Sequence, residues 1–121
     1  MTELKSEGTG VVRIADDVLA IIAGTAALEA EGVAGLAGYY SDDVNNKTVR
    51  KHMAKGVQVN VNGDSVKFHL IISVKFGVKL QDVSREVQQR VKGAIETMTG
   101  LVVSEVNISV STLVDENKRR M

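Results

Sequence analysis

Cysteine is absent from this 121-residue chain. That absence removes disulfide frameworks, thiolate nucleophiles and the commonest structural zinc sites together, and it fits a reducing interior. No charge excess exists either: 15 Lys and Arg balance 15 Asp and Glu. No overall field therefore draws the chain to nucleic acid or anionic lipid, and a charged partner must be recognised locally. Residues 1–10 are polar and carry Glu3, Lys5 and Glu7, which fits no signal peptide. No apolar run approaches the ~18 residues of a membrane span. The longest, residues 18–28, is interrupted by Gly24 and Thr25 and preceded by two aspartates, as suits a buried helix. Direct membrane insertion is not expected, and membrane contact would need a partner protein. The location expected is cytoplasmic, membrane-proximal only through that partner.

The length suits one domain, residues 1–121, with a core large enough to need no staples and disordered ends at 1–8 and 114–121. Residues 10–14 alternate as a short strand. Asp16, as a cap, and Asp17, at the positive end of the dipole, open a helix expected to run to about Glu31 and stop at Gly32. Residues 33–46 read as a connection. Residues 47–55 read as a short helix that gathers Lys47, Arg50, Lys51 and Lys55 on one side.

Val57, Val59 and Val61 alternate with Gln58 and Asn60 up to Asn62-Gly63, a dipeptide suited to a hairpin turn. On the return strand Val66, Phe68, Leu70, Ile72, Val74 and Phe76 share one parity and Lys67, His69, Ser73 and Lys75 the other, with only Ile71 intruding, giving one core face and one largely wet face. Leu80, Val83, Val87, Val91, Ala94, Ile95 and Met98 follow helical spacing until Gly100. Val106, Ile108 and Val110 then alternate with Asn107, Ser109 and Ser111 as a closing strand. The pattern is β-α-β-β-α-β. It implies an α+β two-layer sandwich, with two amphipathic helices packed on one face of a mainly antiparallel sheet. A split βαβ arrangement is one way to order the strands.

Three stretches carry a family likeness: VVRIADDVLAIIAGTAALEAEGVAGLAG at 11–38, KGVQVNV at 55–61 and VKLQDVSREVQQRVKGAIETMTGLVVSEVNISV at 78–110. Together they resemble the alkaline-shock, or envelope stress response, proteins of Gram-positive bacteria. The resemblance implies an abundant cytoplasmic protein, in some members linked to envelope stress and to the membrane through a separate membrane-embedded protein. It assigns no catalytic residues and no ligand.

The residues themselves offer little chemistry. His52 and His69 are the only histidines, and neither lies in a nucleophile motif. Without cysteine, metal ligands reduce to adjacent carboxylates such as Asp42-Asp43 and Asp115-Glu116, which usually serve solvation. Gly32, Gly35 and Gly38 match neither the dinucleotide nor the P-loop spacing. No catalytic site, cofactor or metal is therefore expected. The candidate surface is an interaction surface: Lys47, Arg50, Lys51 and Lys55 together with Lys67, His69 and Lys75.

The leading expectation is a non-enzymatic structural or interaction protein of envelope stress, self-associating into homo-oligomers and docking to a protein partner near the membrane. The alternative is an RNA-binding accessory protein that uses the basic 47–55 segment. Stacking platforms weigh against it, because Phe68 and Phe76 have core parity and only Tyr39 and Tyr40 remain.

Overall fold

The computed structural model describes residues 2–5, 11–36, 39–40 and 56–115. In chain order these form β1 (Thr2–Lys5), β2 (Val11–Ile14), α1 (Asp16–Leu28), β3 (Val33–Leu36), β4 (Tyr39–Tyr40), β5 (Val57–Asn62), β6 (Ser65–Lys75), α2 (Leu80–Thr99) and β7 (Val102–Val114). The expected β-α-β-β-α-β order stands as β2, α1, β5, β6, α2 and β7, and the fold is α+β. Three short strands join it. β1, within the end expected to be disordered, pairs antiparallel with β2 as a separate two-stranded sheet. β3 and β4 arise where the sequence reads as a connection.

β6 organises the main sheet. Its first half pairs antiparallel with β5, from Asn62↔Ser65 to Val57↔Leu70. Its second half pairs antiparallel with β3, through Leu36↔Ile72 and Val33↔Val74, so β5 and β3 lie end to end along one edge. β7 runs parallel to β6 along the whole of the other edge, from Ser65↔Val102 to Lys75↔Val114. The parallel pair requires a crossover, which α2 supplies. Gly100, with φ of 77°, closes α2 by donating its N–H to the Glu96 carbonyl at 3.0 Å. Val102 then donates to the Asp64 carbonyl at 3.0 Å, which seats β7 beside β6.

The core fills the space between the helices and one sheet face. Phe68, Leu70 and Ile72 from β6 meet Leu19 from α1 and Val87, Val91 and Ile95 from α2, all fully buried. Ala20, Ala23, Ala26 and Ala27 give α1 a small-residue surface that is also buried, so this helix can approach its neighbours closely. Each large side chain withdrawn from water here contributes about 1.5–3 kcal/mol. Gly32 sits with φ of +93°, and a Cβ built there would lie 2.7 Å from Val83 Cγ2. Glycine thus allows both the turn into β3 and its close packing on α2.

Several local expectations shift. The cap of α1 is Ala15, without a side-chain cap bond, and Asp16 and Asp17 occupy the first turn; the helix ends at Leu28. The hairpin turn is Gly63-Asp64, one residue beyond the expected pair. Only Gly63 has positive φ there (64°), which fits a II′-like two-residue loop. Phe76, expected in the core, is 69% exposed, because β6 ends at Lys75 and Gly77 (φ 95°) turns the chain away. Leu80 and Met98 lie at the two ends of α2, and both are exposed. Ser73, expected on the wet side, is buried between Gly35 of β3 and Thr112 of β7.

Candidate interaction surface

Both helices cover one face of the sheet, and the opposite face presents the polar parity of each strand. β6 contributes Lys67 and His69, β5 contributes Gln58 and Asn60 directly across from them, and β7 contributes Glu105, Asn107 and Ser109. Lys67 Nζ lies 4.0 Å from Glu105 Oε2, with both side chains more than half exposed. Asn107 Nδ2 donates to the same carboxylate at 3.4 Å. His69 Nε2 and Ser109 Oγ are 2.7 Å apart. Gln58, Asn60, Lys67, His69 and Asn107 line an open groove of about 370 Å³.

Of the seven expected surface residues, Lys67, His69 and Lys75 belong to β6. Lys47, Arg50, Lys51 and Lys55 lie outside the described residues, as do His52 and the Asp42-Asp43 pair. Within the described part the basic character is diluted, since Glu105 answers Lys67 directly. The Ser109–His69 distance is that of a nucleophile and its base. No described carboxylate bonds the other ring nitrogen, however, so the orienting third member of a hydrolytic triad is not among the described residues. No cluster of three metal-ligating side chains occurs among the described residues, and no described helix is long and apolar enough to cross a membrane.

The edge of β7 adds features that the alternation does not reveal. Its register on β6 jumps from Val103 to Glu105 and again from Val110 to Thr112, which leaves Ser104 and Ser111 as extra residues at two bulges. Each serine hydroxyl donates back to a β6 carbonyl, Ser104 to Val66 and Ser111 to Ile72, both at 3.3 Å. On the outer edge, Glu96 of α2 accepts from the Val103 N–H at 3.0 Å, and Gln88 donates to the Val106 carbonyl at 3.0 Å. No described strand pairs with that edge. The sequence signals the bulges faintly: Val103 to Val106 and Val110 to Leu113 are spaced by three, which breaks the period of two.

Comparison with known proteins gives a consistent picture. Residues 4–114 match the model of the alkaline-shock protein 23 family, described as having a cell envelope-related function. The uncharacterized protein YqhY of Bacillus subtilis is 34% identical over 101 residues, covering 84% of this chain and 75% of that one. The uncharacterized protein Spy1614 of Streptococcus pyogenes is 32% identical over 106 residues, covering 86% of this chain and 88% of that one. Among solved structures, the copper form of a MamM CTD variant superposes with a TM-score of 0.50 at 14% identity, covering 81% of this chain and 98% of that one. That likeness concerns the fold alone. The matched span takes in all three stretches that carry the sequence resemblance, and the chain belongs to the alkaline-shock protein 23 family, with its cell envelope-related function.

Proposed function

We propose that this chain is a non-enzymatic structural or interaction protein of the cell-envelope stress response, held in the cytoplasm, that self-associates and docks to a membrane-embedded protein partner. One observation carries the reading: among the described residues the helices cover one face of the sheet only, and the sheet ends on one side in a 13-residue strand whose outer edge no described strand pairs. An uncovered sheet with an unpaired edge offers both area and directional hydrogen bonds to another protein. The family membership supports a role near the envelope.

Light scattering on untagged protein across concentration and salt, paired with crosslinking in the native host, tests this. Reversible growth into discrete species and capture of a membrane protein are the expected results. A strict monomer at every concentration with no captured protein would overturn the reading. The RNA alternative predicts salt-dependent binding that weakens when Lys47, Arg50, Lys51 and Lys55 become alanine. The charge balance between Lys67 and Glu105 counts against that alternative.

A further inference from the structure

We infer that the seam between the outer edge of β7 and α2 receives an extended segment of a partner protein as an added strand, with carboxylates of the segment meeting Arg85 and Lys92. The inference rests on the docking reading and locates its site.

Backbone hydrogen bonding supplies the first part of the argument. The Val106 carbonyl points outward, since Gln88 reaches it from α2. N–H and C=O groups of alternate strand residues share an edge, so Ile108 and Val110 also present theirs outward. These groups fall between the bulges at Ser104 and Ser111, in a stretch of regular strand. From Val106 to Val114 the strand carries no charged side chain and no proline. Charged side chains and proline, which commonly protect an edge against pairing, are thus absent from it, and the bulges at Ser104 and Ser111 bound the stretch that is open to pairing.

The stripe of α2 beside this edge supplies the second part. Gln88 and Glu96 both bond outward groups of β7, which fixes the side of α2 that borders the edge. Arg85 stands three residues from Gln88 and Lys92 four from both Gln88 and Glu96, so both share their stripe, and Gln81 continues it four residues before Arg85. With about 1.5 Å of rise per helical residue against about 3.3 Å per strand residue, Arg85 comes alongside Asn107 or Ile108. Two shallow depressions meet at Gln88, one lined by Arg85 and the other by Lys92 and Glu105. Neither Arg85 nor Lys92 makes an ion pair among the described residues. Three of the acidic groups nearby are committed, Glu96 to the Val103 N–H, Glu86 to Arg90 and Glu105 to Lys67; Asp82, in the first turn of α2, makes no ion pair among the described residues.

The cations also decide between occupants. A two-fold axis that paired β7 with a second copy would lay the same stripe of each α2 along the other, bringing Arg85 and Lys92 of one copy toward those of the other. An acidic extended segment meets the same backbone groups without that repulsion.

The test uses the full chain and two blocked nonapeptides, one alternating threonine with glutamate and the other threonine with lysine. Binding is followed by heteronuclear NMR and amide hydrogen exchange at low salt. The glutamate peptide is expected to bind and to slow exchange at the Ile108 and Val110 amides, whereas the lysine peptide leaves them unchanged. R85A/K92A is expected to weaken the glutamate peptide about fivefold, as two exposed ion pairs would, and R85E/K92E to transfer binding to the lysine peptide. Both side chains sit on an exposed helix surface, so unchanged thermal melting verifies that each variant is folded. Equal binding of the two peptides, binding of neither, or protection at a different strand overturns the inference and leaves the docking reading to its own crosslinking test. Protection of Ile108 and Val110 that rises with protein concentration in the absence of peptide also overturns it, assigning the edge to a second copy.

Discussion

β6 and β7 lie side by side in one sheet, nearly equal in length, yet they obey different rules. β6 has neighbours on both edges, and Val66, Phe68, Leu70, Ile72 and Val74 are buried without interruption. Among the described residues β7 has one strand neighbour. It is broken by two serine bulges, its outer backbone groups are met in part by α2, and Val102, Val110 and Leu113 stay exposed. A strand flanked on both edges is held to strict alternation, because a slip of one residue would turn its whole apolar set toward water. An edge strand can absorb extra residues, and it exchanges core packing for accessible hydrogen-bonding groups. Buried apolar packing therefore concentrates in β6, and backbone groups that no described strand pairs concentrate in β7.

Truncation separates the two most sharply. Phe68→Ala in β6 removes a fully buried ring and is expected to cost about 3–5 kcal/mol in urea unfolding. Val110→Ala in β7, at 37% exposure, is expected to cost less than about 1 kcal/mol. Equal losses would mean that β7 is as much a core strand as β6, and the comparison would collapse. Next in size is Gly32→Ala, which brings a Cβ against Val83 in a left-handed conformation. It is expected to cost roughly 1–3 kcal/mol, measured by the same unfolding. The turn at Gly63 has positive φ but open space around it, so Gly63→Ala should cost less than Gly32→Ala.

This contrast also explains what the sequence made legible. The alternation through 66–74, broken only by Ile71, and the helical spacing from Val83 to Ile95 are long, so β6, α2 and the layered fold could be read directly. β3 could not: four residues with a glycine inside them carry almost no period, and the strand exists because the second half of β6 needs an antiparallel neighbour. Phe76 kept its parity one residue past the end of its strand, where parity no longer places a side chain. The polar face was legible as Lys67, His69 and Lys75. Glu105, which answers Lys67, was not, because the alternation of the closing strand reads only from Val106, whereas the strand itself begins at Val102, before the bulge at Ser104. Gln88 and Glu96 were hidden for a related reason. Their partners are backbone groups, which leave no mark in a pattern of side chains.

The middle of the scale tests how α2 secures the edge. Glu96→Ala removes a charged acceptor from the Val103 N–H at a partly buried site and is expected to lower stability by about 1–2 kcal/mol. Amide exchange should then accelerate at Val103 more than at Val106. If exchange rose equally across β7, Glu96 would be supporting the strand as a whole and not one end of its edge.

The smallest effects belong to the open face and the bulges. Ser111→Ala removes a hydroxyl that donates to the Ile72 carbonyl through a long, partly buried bond of 3.3 Å, and a loss of about 0.5 kcal/mol is expected. Lys67→Ala should change stability by less than about 0.5 kcal/mol, since its 4.0 Å pair with Glu105 is more than half exposed on both sides. The informative readout for Lys67 is the double-mutant cycle with Glu105 at low and high salt. A coupling near zero at both would mean that each side chain is free to engage a partner at no cost to the fold, as an interaction face requires. A coupling above about 1 kcal/mol that survives salt would exceed the range of exposed ion pairs. The open face would then be contributing to stability as β6 does, and the separation between a stabilising strand and an available surface would have to be redrawn.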